Sequence, residues 1–134
     1  MKKILLLTCG ILMTASVAQA CAGITVKGTS GYSYCMSKFT MNWYSAYAWC
    51  KDQGKNLIVL DEVCNTTSIG TCSELKLSDA EKENITKNGA KLDWVWTATS
   101  VDTSKAFRVT LASGIISNSA NFYGRNDAHF ALCK

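Results

Sequence analysis

Proline is absent from the 134-residue chain, and histidine occurs once, at His129. Any Ser–His or Cys–His catalytic pair must therefore use His129. That residue stands four positions before Cys133 in an apolar run, where a packed or surface strand histidine is the simpler expectation. Lysine and arginine never gather into a stripe, which argues against nucleic acid and anionic membrane as partners. Long apolar runs are also missing. The longest, Ile4 to Val17, falls short of the about 20 residues that a membrane-spanning helix needs, so no span is expected. Lys2 and Lys3 precede it and Ala18-Gln19-Ala20 follows, the layout of a signal peptide over residues 1–20. Internal repeats, low-complexity tracts and long linkers are absent too, so residues 21–134 read as one domain.

Removing residues 1–20 leaves twelve basic against ten acidic side chains, close to neutral. It also discards Cys9 and leaves Cys21, Cys35, Cys50, Cys64, Cys72 and Cys133. An even set of six in a short exported chain reads as a disulfide framework, formed in the periplasm, at the cell surface or outside the cell. Composition leaves the pairing open. Two alternatives contest Cys21: acylation as a lipoprotein, although Ala18 stands where such signals usually carry Leu, or cleavage after Ala22. Either strands an odd number of thiols. With all six bridged, no thiolate remains as nucleophile or metal ligand.

Residues 40–53 have helical spacing: Trp43, Ala46, Cys50 and Gln53 form one stripe, flanked by Tyr47 and Trp49. Thr40 or Asn42 can cap its start and Gly54 can end it. Leu57 to Leu60 reads as a short buried strand, and residues 61–77 as irregular. Asp61-Glu62 suits a helix cap with first-turn charge better than a pair of catalytic acids. Ser78 and Glu81 form a capping box for a second, surface helix to Asn88, ended by Gly89. Asn65-Thr66-Thr67 and Asn84-Ile85-Thr86 match the glycosylation pattern but read as polar surface in a bacterial-type exported chain.

Beyond Trp94 the period shortens to that of strands. Trp94 to Thr97 is aromatic and branched, and Phe107, Val109 and Leu111 alternate with Arg108 and Thr110. Ala112-Ser113-Gly114 makes a turn into Ile115-Ile116, and His129 to Cys133 gives a last strand. The four tryptophans, Trp43, Trp49, Trp94 and Trp96, are expected in the core. The class is α+β: one main helix and a second helix packed on short antiparallel strands.

The helix Met41-Asn42-Trp43-Tyr44-Ser45-Ala46-Tyr47-Ala48-Trp49-Cys50, then Gly54 and Leu57-Ile58-Val59-Leu60, resembles the opening of a C-type-lectin-like domain. Phe130-Ala131-Leu132-Cys133-Lys134 is similar to that family's terminal strand, and the hairpin from Trp96 to Asn121 resembles bacterial, adhesin-type relatives. The resemblance implies a C-type-lectin-like fold with Cys21 paired to Cys35, Cys50 to Cys133 and Cys64 to Cys72. The family's calcium–sugar site uses a cis-proline between two ligand groups, and a cis bond without proline costs roughly 3–4 kcal/mol. Asp102, Asn118, Asn121, Asn126 and Asp127 are spread too widely to replace it, so no calcium, metal or cofactor is expected.

Tyr123, Arg125, Asn126 and Asp127 mix aromatic, cationic and amide groups in one polar loop, which suits a contact surface. With no catalytic constellation beside them, the expectation is a non-enzymatic binding module. It would be secreted or surface-held, and would meet a protein or glycan ligand through loops between Val101 and Asp127. The alternative is a structural or assembly subunit of a pilus or envelope complex, marked by an exposed apolar patch. A hydrolase, or a relative of the sulfatase-modifying enzymes, would need a free thiol or a convergent polar pocket. The exported protein is expected to begin at Cys21 and to hold no free thiol. Intact mass spectrometry after alkylation under denaturing, non-reducing conditions checks this, and a lipid-bearing mass or an alkylated cysteine would contradict it.

Overall fold

The computed structural model describes residues 21–27, 33–66, 68–118 and 127–134. The proposed signal segment lies outside them, as do Tyr123, Arg125 and Asn126. Ten elements follow in order: β1 (Ile24–Lys27), β2 (Ser33–Met41), α1 (Trp43–Asp52), α2 (Leu60–Val63), β3 (Gly70–Thr71), α3 (Asp79–Lys87), β4 (Trp94–Ser100), β5 (Ala106–Thr110), β6 (Ile115–Asn118) and β7 (His129–Cys133). The strands form one seven-stranded sheet in the order β1-β2-β7-β4-β5-β6-β3. All pairings are antiparallel except β4 with β7. Among the described residues the architecture is thus α+β, with three helices, seven strands and three disulfides, and no described helix is long and apolar enough to cross a membrane.

Residues paired across strands share a face, so the register sorts the sheet into two sides. Val95, Val109 and Ile116 are in register with one another, and with Ile24, Val26, Tyr34, Met36, Phe130 and Leu132 they build the larger core. Ile58, Leu60, Val63, Leu77 and Ile85 cover that side from α2, α3 and their connections. On the opposite side Cys35, Met41, Trp96, Ala106, Ala131 and Cys133 pack with Ala46 and Cys50 of α1. The last strand, β7, contributes to both cores and is buried at every residue.

The main helix forms where its stripe requires. Asn42 caps it, its Oδ1 accepting the Ser45 N–H at 2.8 Å, and Ala46, Cys50 and Gln53 face inward. It starts later than residue 40 because Thr40 and Met41 pair with β7 and belong to β2. Gly54 follows with φ of 68°, the left-handed conformation in which glycine lacks the Cβ penalty. The second predicted helix is α3, capped by Ser78, whose Oγ accepts the Glu81 N–H at 3.3 Å. It is largely a surface helix, anchored by the fully buried Ile85.

Two expectations are corrected. Leu57 to Leu60 is not a strand: only Leu57 bridges to Cys133. Ile58 donates to the Leu132 carbonyl and accepts from Ala98, filling the gap where β4 and β7 diverge. Val59 and Leu60 then give their N–H groups to Glu62 Oε1 and Thr99 Oγ1, which turns the chain into α2. The run is apolar because it is buried, and its amides are satisfied outside a ladder. As expected, Asp61 and Glu62 lie in the first turn of that helix. The second correction concerns the tryptophans. Trp96 is wholly buried, its indole N–H donating to the Met41 carbonyl at 2.8 Å, whereas Trp43, Trp49 and Trp94 are half-buried. An indole with one polar edge settles well at a boundary between core and solvent.

The disulfides are Cys21–Cys35, Cys50–Cys133 and Cys64–Cys72, the pairs that the resemblance implies. Cys21–Cys35 ties the start of the domain to β2, and Cys64–Cys72 closes the loop that carries β3; residues 61–77 are thus not wholly irregular, since they hold most of α2 and all of β3. Gly114, at φ of 67°, turns β5 into β6, and an added Cβ there would lie 2.8 Å from Cys72 Cβ, so the turn seats against that bridge. Asn65, in the first glycosylation-like triplet, does more than decorate the surface: its Oδ1 accepts from Ser73 Oγ and Glu74 N, holding the closed loop in shape. Cys50–Cys133 spans a sequence separation of 83 and Cys64–Cys72 one of 8. Loop-closure entropy then favours the longer tie by about 2 kcal/mol. Replacing Cys50 and Cys133 together by alanine should lower the melting temperature by several degrees more than replacing Cys64 and Cys72. Equal losses in calorimetry would contradict this ranking.

Candidate ligand-binding face

Among the described residues, the α1 side of the sheet is only partly covered. The helix packs on β7, with lesser contact to β2 and β4. Beyond it, the register brings Trp94 opposite Thr110 and Arg108 opposite Ser117 on the same side, and all four are half-buried. The strand alternation that sends Phe107 and Val109 into the larger core thus sends Arg108 and Thr110 out to this open half.

Arg108 is the centre of the arrangement. Its guanidinium lies 4.6 Å from the centroid of the Trp94 ring, a cation–π contact. Its Nη1 donates to His129 Nε2 at 2.8 Å, and His129 in turn packs edge-on to Trp96 at 4.6 Å between ring centroids. Arginine offers only donors, so Nε2 accepts and the proton of the neutral ring sits on Nδ1. Burial, then the adjacent Arg108 charge, pull the His129 pKa from 6.5 down to about 4, against the opposing pull of Asp127 and Asp93. At neutral pH the pair therefore carries one positive charge, on Arg108. Arg108 Nε is buried and has no hydrogen-bond partner among the described residues.

The loops flanking this face are tight where they are described. Residues 101–105 close the β4–β5 hairpin, with Asp102 Oδ1 accepting from Ser104 N at 2.7 Å and Ser104 Oγ at 2.9 Å. Those bonds hold the Asp102 carboxyl below its ordinary range. Across the β5–β6 turn, Thr110 Oγ1 bonds Ser113 Oγ and accepts the Ile115 N–H. Of the four loop residues picked out in the sequence, Asp127 is described: it is half-buried, two positions before β7, and its charge reaches His129. Tyr123, Arg125 and Asn126 lie outside the described residues, so their place relative to Arg108 is not assigned. Trp94 and Arg108 were missed as site residues because each also reads as a routine strand residue. The signal that finds them is the shared alternation of Arg108 and Thr110 combined with register, and register is not written in one strand alone.

A second exposed group sits on α1. Trp43 stacks on Tyr47 at 5.4 Å and meets Tyr44 edge-on at 5.2 Å, while its indole N–H is pinned to the Thr97 carbonyl at 2.8 Å. Tyr44 and Tyr47 are exposed, as is Phe39 at the irregularity in β2, where Ser37 Oγ takes over the Ala131 N–H. Among the described residues no three His, Cys, Asp or Glu side chains cluster as metal ligands. Neither a protein-family model nor a curated protein matches the chain.

The His129 shift has a signed consequence. Between pH 6.5 and about 4 the unfolded chain protonates this ring while the native one does not, so stability falls as the pH falls through that window. The Cε1 proton of this sole histidine should titrate near pH 4 in the folded protein by NMR. His129→Gln, which keeps an acceptor for Arg108, should flatten the melting temperature over the same window. A midpoint at 6.5 or above would contradict the buried neutral ring.

Proposed function

We propose that this protein is an extracytoplasmic, non-enzymatic binding module of the C-type-lectin-like kind, engaging a protein or glycan ligand without calcium. Its contact surface is the open half of the sheet together with the segments between Val101 and Asp127. The observation that carries this reading is Arg108, held on Trp94 and bonded to a neutral His129, on a face that no described helix covers. Arginine and tryptophan anchors of this sort dominate contact energetics where they are found in interfaces. Three disulfides support a location outside the reducing cytoplasm. Function argued from a fold is analogy, so the weight rests on this face rather than on the resemblance.

The exposed Phe39, Tyr44 and Tyr47 favour a second reading, an assembly subunit of a pilus or envelope complex that docks through α1. The two separate by mutation. On a glycan array run beside a pull-down from envelope extract, binding through the sheet should survive a chelator and Tyr47→Ser. It should weaken by about tenfold in Trp94→Ala. Loss in Tyr47→Ser with Trp94→Ala unaffected would move the function to α1, and chelator-sensitive binding would contradict the calcium-free reading.

A further inference from the structure

We infer that the ligand of the open half is a protein rather than a glycan: a partner segment that sets an aliphatic side chain against Ile115, at the β6–β3 edge, and a carboxylate on Arg108. The inference rests on reading that half as the contact surface, and adds the kind of partner that fits it.

The open half extends beyond Trp94 and Arg108. Val109 pairs with Ile116 and both enter the larger core, so the alternate residues Ile115 and Ser117 stand on the Arg108 side. Thr71 is in register with Ile115 and carries that side onto β3, the edge of the sheet. Ile115 is 45% exposed, while Ile116 beside it is 1% exposed. Ile69, one residue before β3, is 59% exposed. A lone exposed isoleucine needs no explanation. Here two branched aliphatic side chains meet water at one sheet edge, beside a guanidinium already held by two contacts.

The surroundings decide between ligand classes. A sugar lays its C–H side on a flat aromatic ring, and the Arg108 guanidinium already lies over Trp94, 4.6 Å from the centroid. Thr110 Oγ1 is engaged by Ser113 Oγ and the Ile115 N–H, so that hydroxyl is taken up within the turn. A branched aliphatic chain offers a sugar neither a flat face nor a hydrogen bond. It packs well against another apolar side chain, which is what a protein partner supplies. Protein contact surfaces join such an apolar centre to arginine anchors.

Charge defines the other half of the partner. Among the described side chains that the register places on this half, Arg108 is the charged one. It enters no ion pair among the described residues, and the acceptor it meets is an uncharged imidazole nitrogen. Its planar fork suits a carboxylate, and opposite charge across a contact sets register and partner choice. Arg108 stands opposite Ser117, so Ile115 is its diagonal neighbour, at about 7–8 Å. An aliphatic residue and an acid two apart on a strand, or three to four apart on a helix, present their side chains at a comparable separation.

Random dodecapeptides displayed on phage and selected on the intact domain test this, beside a glycan array. Selected peptides should carry an aliphatic residue and an acid at one of those spacings, and should shift the amide signals of Ile69, Thr71 and Ile115 in NMR spectra. Ile115→Ser, at an exposed position, should weaken the tightest peptide about tenfold or more. Exchanging that peptide's acid for its amide should weaken it similarly, and should cost nothing further against Arg108→Gln. The exchange is made in the peptide, so an unstable Arg108 variant leaves that comparison intact. Peptides that bind Ile115→Ser equally well, that lose their acid without effect, or that shift only α1 signals overturn the inference. A glycan bound on the array and lost in Trp94→Ala also overturns it, while leaving the binding module standing. Binding of neither peptide nor glycan defeats both readings.

Discussion

The structure depends on placing its last strand in its middle. β7 lies between β2 and β4, is buried at all five residues, and supplies alternate side chains to both cores. Neither neighbour is close in sequence, so no local hairpin can deliver it there, and the loop entropy must be met before the contacts form. Cys50–Cys133 ties this strand to α1 across a sequence separation of 83, and Lys134 continues the clamp by exchanging two backbone hydrogen bonds with Asn56. The Lys134 ammonium also pairs with Glu62 at 2.8 Å. Burial works to raise the Glu62 carboxyl, but the Lys134 and Val59 bonds and nearby lysine charge outweigh it and hold it below the ordinary range. The ion pair is partly exposed and adds little beside the disulfide and the apolar contacts.

How much of this was legible follows from which signals are local. Asn42 and Gly54 mark α1 because a cap and a left-handed terminator are decided by a few neighbouring residues. Ser78 and Gly89 do the same for α3. The alternation through Phe107, Val109 and Leu111 located the β5–β6 hairpin. Leu57 to Leu60 failed because its buried pattern is produced by a wedge between diverging strands, and a period cannot tell a wedge from a ladder. The site was less visible still. Trp94, Arg108 and His129 lie on three strands, and the parallel pairing of β4 with β7, which brings His129 beside the other two, exists only in the assembled sheet.

The two sides of the sheet solve burial differently. One is sealed by α2, α3 and the connections around them, with Ile58, Leu60, Val63 and Ile85 nearly or wholly inaccessible. The other has a single helix, ten residues long, and a helix of that length reaches about 15 Å. Adjacent strands lie about 4.8 Å apart, so seven of them span roughly twice that width. One helix cannot roof such a sheet, and no other described helix covers the β5–β6 half on this side.

An open sheet face has to be made compatible with water, and Arg108 does this with its own side chain. Its guanidinium lies over the half-buried Trp94 ring, 4.6 Å from the ring centroid. His129 completes the arrangement from β7, taking one donor and packing its ring on Trp96. Protection of the sheet and presentation of a fixed cation are therefore one structural solution. A lysine would shield Trp94 comparably but as a mobile point charge, without a planar fork held by two contacts. The β-ladder fixes the strand beneath Arg108, and the contacts to Trp94 and His129 fix its side chain.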